Sequence, residues 1–451
     1  MSTIRDWLNK LKNKSAPSSS WADHRRNEAL ELLADVESNG RLVELSTHYN
    51  GFVREVVVRE LCSHPSPEAL VALIERLNDW VAQVRDLAAA GLKHYLSPSQ
   101  VKALLFALEP LIALAARRRV DHGPTLMVVR AVLQSRDIRD EVYTNFLARQ
   151  GKPARYLFAL LLEQDTAPET LIRSALAHRE LTVRLMAVSA CQELPAAQAR
   201  QLLHEALSRP GAKVRVCVLR ALLPLLDDTK PVLRKALMDA SPSIRGLARW
   251  AAPHSNVDAL IVLTEQLNQD MPSGKRNWLG VLGLAAELNI DLPQPWHKEA
   301  LRSAYSTVRQ AAVRLLRDDQ LVELLEALDD PSDKVFVAAI AQLNKRPWSS
   351  MRAGLDTKSD RDWSYLPTAR QQALLQLRPG WQQVAYLLAR VDTEPALQAF
   401  WLHQVNLWCD RQYQMVDPVT PKAEREALME KLQKLAARDL IRSDSLARVS
   451  G

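Results

Sequence analysis

Apolar residues recur along this chain in stripes three and four places apart, and the stripes restart about every thirty residues. Each restart opens with Val or Ile, then Arg, then small or apolar residues three and seven places beyond the Arg. Val84-Arg85 is followed by Ala88 and Leu92, Val183-Arg184 by Ala187 and Cys191, Val214-Arg215 by Val218 and Leu222, and Val308-Arg309 by Ala312 and Leu316. That spacing puts one apolar face on a helix. Looser copies are Val53-Arg54 with Val57 and Leu61, Ala154-Arg155 with Phe158 and Leu162, and Ile244-Arg245 with Ala248 and Ala252. Three more are Lys275-Arg276 with Leu279 and Gly283, Val335-Phe336 with Ala339 and Leu343, and Ala369-Arg370 with Ala373 and Leu377.

Between these second helices the periodicity predicts first helices over Pro67–Asn78, Pro168–His178, Ala196–Arg209, Val257–Leu267 and Gln320–Leu328. The double-length interval between Arg85 and Arg155 predicts one degenerate pair, Ser97 to Arg119 and Pro124 to Ser135. Asp79, Asp239 and Asp330 each stand five residues before the Val or Ile of a second helix, where a carboxylate caps the turn. The unit is helix, short turn, helix.

Asp in the turn followed by Val-Arg, repeated in register, resembles the HEAT repeat family (HEAT-like, PBS-lyase-type repeats) over about residues 20–410. The resemblance implies an all-α protein: a right-handed α-solenoid, or superhelix, of about eleven HEAT-like helix pairs with the second helices on its concave face. Lys275, Phe336 and Ala369 depart from the pattern. The expected division is an amphipathic helix and Ser-rich linker over 1–20, the solenoid over 21–345 and a polar interruption over 346–367. Less regular terminal repeats follow over 368–415, then a capping helix and tail over 416–451. One pair cannot bury its apolar face alone, so each is stable only against its neighbours, and the ends need polar covers. The segment Pro421 to Ile441, with Leu428, Leu432 and Leu435 on one side, suits that role.

Composition agrees with helices: among 451 residues, 47% are hydrophobic, while 13 Gly and 6% aromatic residues leave little for a large β fold. Cys62, Cys191, Cys217 and Cys409 lack CxxC spacing and read as thiols of a reducing compartment. Arg5, Lys10 and Lys12 interrupt the start as no signal peptide would allow, and the longest apolar run, Ala103 to Ala116, is broken at Glu109-Pro110. A cytoplasmic protein without a transmembrane segment is expected. The formal charge of +7 is concentrated: residues 181–317 hold 18 Lys and Arg against 11 Asp and Glu, and seven acids follow between Asp318 and Asp333.

Two sets of basic residues are candidates for partner binding. The arginines that open the second helices include Arg215, Arg245 and Arg309 after Val or Ile, and Arg276 after Lys275; the HEAT resemblance implies that such arginines hydrogen-bond to turn aspartates between repeats. Six places beyond the Val or Ile, about 240° round the helix from the buried stripe, stand Arg59, Arg220, Trp250 and Arg314, with Arg249 and Arg317 nearby. Guanidinium groups beside an exposed indole suit acidic peptide with an aromatic anchor, or phosphates with base stacking. Ile4, Trp7, Leu8 and Leu11 form an apolar face opposite Arg5, Lys10, Lys12 and Lys14. That pattern fits a solenoid cap, a partner groove or peripheral contact with an anionic membrane. Trp348 and Trp363 bracket the interruption, expected as a partner-binding insertion or a hinge.

No catalytic constellation is present. Ser273-Gly274-Lys275 lacks the upstream Gly and the following Ser or Thr of a phosphate loop, HExxH does not occur, and the ten histidines share no metal-ligand spacing. No cofactor is implied. The expected function is a non-enzymatic scaffold or adaptor that grips a protein partner, favoured to be acidic by the basic middle. The alternatives are a nucleic-acid-binding solenoid, with or without activity like that of the HEAT-like alkylpurine DNA glycosylases, and an enzyme like the HEAT-like bilin lyases. The functional positions of neither enzyme family match here.

Overall fold

The computed structural model of the protein describes residues 20–34, 39–362, 366–411 and 417–450. These residues are all-helical, with no strand among them. They divide after Asp227 into two compact units.

In the first unit the short turns between helices are set by side chains that satisfy free backbone N–H groups. Asn50 accepts from the Phe52 amide, and Ser66, followed by Pro67, accepts from the Ala69 amide. Gly51–Ser63 packs on Ala82–Leu92; Glu169–Leu176 packs on its partner Leu181–Ala190, and Ala196–Leu207 on Ala212–Leu222. Like also packs on like. Gly151–Gln164 lies against Leu181–Ala190, which lies against Ala212–Leu222, while Glu169–Leu176 lies against Ala196–Leu207. The stripe residues Val53, Val57, Val84, Ala88, Val183, Ala187, Val214 and Val218 are buried.

The degenerate pair is more broken than its periodicity predicts. The first member is two short helices, Val101–Phe106 and Leu108–Leu114, followed by Gly123–Leu133. Pro110 has no N–H to give to the Phe106 carbonyl, so one helix cannot run through. The chain leaves the helix before Arg117, and 117–122 form an exposed connector closed by the buried His122.

The second unit holds the pairs Lys230–Leu237 with Pro242–Ala251, Ala259–Leu267 with Lys275–Leu288, and Gln294–Arg302 with Ser306–Arg314. Leu321–Glu326 with Asp333–Leu343 comes next, and Asp333–Leu343 packs on Ser306–Arg314. Lys275–Leu288 does not take the expected register. Trp278, Leu282 and Ala285 are buried, rather than Leu279 and Gly283. Close approach explains the rotation. A Cβ on Gly280 would stand 2.0 Å from the Met238 carbonyl oxygen, and one on Gly283 would stand 2.3 Å from the Arg245 guanidinium.

The polar interruption expected over 346–367 is helical through most of its described residues. Trp348–Asp362 is a helix whose Met351 and Leu355 share one hydrophobic cluster with Val335, Leu374 and Trp401. The apolar residues Trp348, Met351 and Leu355 carry a helical stripe through an otherwise polar stretch. In Thr368–Gln376 the buried positions are Gln371 and Leu374, with Leu377 just beyond; Ala369 is exposed, a further departure from the expected register. Gly380–Thr393 and Gln398–Asp410 follow. Lys422–Ala436 then sets Leu428 and Leu432 into the same cluster, and Ser443–Ser450 ends the described chain.

Candidate functional site

The arginines that open the second helices are largely consumed by the fold. Asp79, Asp239 and Asp330 each accept a bond from the amide two residues on, that of Val81, Ser241 or Ser332. The arginine of the helix then reaches back across the turn. Arg54 donates to the His48 carbonyl, Arg85 to that of Asp79, Arg215 to that of Arg209, Arg245 to that of Asp239 and Arg309 to that of Ser303, always six residues earlier. Bidentate pairs tie some of these turns to the next repeat: Arg54 to Asp79 at 2.8 and 2.9 Å, and Arg309 to Asp330 at 2.6 and 2.9 Å. Arg245 pairs with Glu287, Arg370 with Asp333, and Arg184 donates to the Pro210 carbonyl.

Burial by itself would raise the Asp79 carboxyl. The bonds from Arg54 and the Val81 amide, with the charges of Arg54 and Arg76, outweigh it and hold the group below the usual carboxylate range. Asp330 is held low in the same way, burial being outweighed by Arg309, the Ser332 amide and the charge of Arg370. These are structural ion pairs within a turn.

The outward candidates divide by partner. Arg59 pairs with Glu55 one helical turn away, Arg249 with Glu287, and Arg317 with Asp291. Arg276 is exposed and stands 3.9 Å from Asp239. Arg220 and Arg314 are exposed, and their side chains make no hydrogen bond or ion pair among the described residues. Trp250 is 69% exposed, its ring 5.5 Å from that of His254. Trp250, Arg249 and Arg314 belong to the second unit and Arg220 to the first. Ile4, Trp7, Leu8, Leu11 and Trp363 lie outside the described residues.

Most other tryptophans with a described side chain serve packing. Trp278 meets Trp296 edge-on at 5.7 Å, Trp401 is fully buried with its Nε1 donating to Glu394, and Trp348 is half-buried beneath the Arg378 guanidinium. Trp80 is the exception, 75% exposed, with the Arg119 guanidinium 5.5 Å from its ring centre. Sequence reasoning missed this group because it looked for outward residues on second helices, whereas Trp80 and Arg117-Arg118-Arg119 stand in connectors. The run of three arginines was the available signal.

No family model matches this chain, and no curated protein matches it closely enough to count as a relative. Its chemistry is therefore read from its own residues. Among the described residues no group of three His, Cys, Asp or Glu is placed to hold a metal ion, and no helix is long and apolar enough to cross a membrane. Burial pushes the Cys191 thiol up to about 11 and, with the Asp410 charge adding to it, the Cys409 thiol to about 11, so neither is a thiolate at neutral pH. Cys62 and Cys217 are half-buried.

Proposed function

We propose that the chain is a scaffold of HEAT-like α-solenoid type that binds an acidic protein partner along the exposed surface of its second helices. One observation carries this reading. The turn in which an Asp caps the following amide while an Arg grips the carbonyl six residues back recurs at Asp79 with Arg85 and at Asp239 with Arg245, around cores of like-on-like packed helices. A repeated turn with a varied exterior is the economy of a binding scaffold, in which recognition residues change while the frame stays.

Partner contact is assigned, in each unit by itself, to basic and aromatic groups that the frame does not use: Arg220 in the first, Trp250 and Arg314 in the second. Arginine and tryptophan dominate protein interfaces because each offers broad contact with little rotamer freedom to lose, and three unshared positive or aromatic groups favour carboxylates with an apolar anchor.

Affinity purification from the native host with crosslinking compares the wild type with an Arg220→Glu, Trp250→Ala, Arg314→Glu variant. The variant is expected to lose an acidic protein crosslinked near these residues, with helicity and melting temperature unchanged, because exposed substitutions typically shift stability by within about 0.5 kcal/mol. Equal recovery would remove these residues as partner contacts. Nuclease-sensitive material in its place, with binding that falls steeply in salt, would make the chain a nucleic-acid binder.

A further inference from the structure

In the first unit, the turn between Pro67–Arg76 and Ala82–Leu92 is clamped from several sides, yet it holds its largest side chain out to solvent. The Asp79 carboxylate accepts from the Val81 amide at 2.9 Å and is itself held by Arg54 and by Arg76 at 3.2 Å. One Arg85 nitrogen donates to the carbonyls of both Asp79 and Trp80, at 2.8 and 3.1 Å. Trp80 therefore leaves a fixed backbone, and a ligand meeting its indole has little loop motion to arrest.

The connector 117–122 faces this turn. The Arg119 amide donates to Asn78 Oδ1 at 3.2 Å and its guanidinium to the Asn78 carbonyl at 2.9 Å, which brings that guanidinium against Trp80. Arg117 and Arg118 are exposed, and their side chains have no partner among the described residues. Between turn and connector lies a cavity of about 440 Å³, walled by Trp80, Arg76, Arg117 and Arg119 over Pro110 and Leu114. Arg76 contributes a buried Nε that has no acceptor among the described residues.

We propose that this cavity binds an acidic peptide segment of a protein partner, with an aromatic or branched apolar side chain on Trp80 and carboxylates on Arg117 and Arg119 of its wall and on the exposed Arg118 next to them in the chain. The inference rests on the scaffold reading and gives that partner a recognisable feature, a short acidic stretch with one bulky apolar residue. Guanidinium groups take carboxylates two-pronged, and an indole flanked by arginine suits an apolar anchor. Peptide is favoured over nucleic acid by the extent of the charge. The unshared cations Arg117 and Arg118 stand side by side in the chain, whereas a strand of phosphates calls for cations spaced along its path.

Fluorescence anisotropy on the full chain tests this with three labelled probes: a short peptide of Asp and Glu around one central Phe, the same peptide with Lys replacing every acid, and oligothymidylate. The wild type is expected to bind the acidic peptide and not the lysine peptide. Trp80→Ala and Arg117→Glu with Arg118→Glu should each weaken it about tenfold or more. Arg220→Glu with Arg314→Glu should bind this probe as the wild type does, so a failure of the surface proposed above leaves this test readable. The side chains of Arg117, Arg118, Arg220 and Arg314 have no hydrogen-bond or ion-pair partner among the described residues, Trp80 loses its contact with the Arg119 guanidinium, and unchanged melting temperatures verify that the variants fold. The inference is overturned if the acidic peptide does not bind, if neither the Trp80 nor the paired arginine variant weakens it, or if oligothymidylate binds more tightly and is lost with the same variants.

Discussion

Asp79 shows how one carboxylate joins two jobs, capping its own turn and anchoring Arg54 of the preceding second helix. Its folded pKa lies below the unfolded value of about 3.9, as do those of Asp330 and of Asp417, whose burial is outweighed by the Trp381 amide and the Thr420 hydroxyl and amide. A depressed carboxyl contributes stability that is fully present above the unfolded pKa and is lost as pH falls through the folded one. Melting temperature should thus be nearly flat from pH ~6 to ~4.5, as far as these three groups are concerned, and fall below pH ~4. Asp79→Asn should lower it throughout the flat range and soften the acid fall. A titration in which Asp79→Asn coincides with the wild type would show that this pair contributes nothing. The Asp and the Arg were both legible in the sequence, since their spacing recurs. That Arg245 would turn instead to Glu287, 42 residues on, was not, because the choice depends on how near Gly283 lets the later helix come.

Among the helices, the register of Lys275–Leu288 is decided by contact and not by pattern. Lys275-Arg276 occupies the place of Val-Arg, yet Trp278 and Leu282 are the residues buried, and Gly280 lies where the Met238 carbonyl leaves no room for a methyl group. Gly280→Ala is expected to destabilise the second unit by about 1–3 kcal/mol, since backbone must shift to admit it. The more exposed Gly274, with open space about its Cβ position, should accept Ala within about 0.5 kcal/mol. Equal melting temperatures for the two variants would refute the close approach. Composition misled at 346–367 for a related reason. Lys358, Asp356 and Arg352 make the segment look like a loop, but they form ion pairs on or around a helix whose apolar stripe is only Trp348, Met351 and Leu355. A stripe that thin stands out only once Leu374 and Trp401 are seen packed beside it. The strongly periodic copies from Val183 to Leu222 had no such ambiguity, and their helices fall where the pattern puts them.

Across the molecule, the arginines divide into those that the fold occupies and those that it leaves in solvent. The former sit in turns with little solvent around them, whereas Arg117, Arg118, Arg220 and Arg314 face water. Salt distinguishes the two, because exposed pairs are screened within about 8–10 Å at physiological ionic strength and sheltered ones much less. Raising salt from ~0.1 M to ~1 M should release an acidic partner while moving the melting temperature little. Loss of both together would mean that the frame itself depends on exposed charge. The concentration of positive charge between 181 and 317 was visible in the sequence, but that region includes Arg215, Arg245 and Arg309, which the fold occupies. Counting charge overstates what is free to bind.

Arg309 and Arg314 lie on one helix, five residues apart, the first locked to Asp330 and the second, among the described residues, without a side-chain partner. Thermal melting of Arg309→Ala and Arg314→Ala beside the wild type tests the division most directly. Arg309→Ala is expected to leave Asp330 without its main cation and to lower the melting temperature by about 3–8 °C, the equivalent of roughly 1–3 kcal/mol, while Arg314→Ala stays within about 1 °C. Equal shifts, or a larger loss at Arg314, would contradict it.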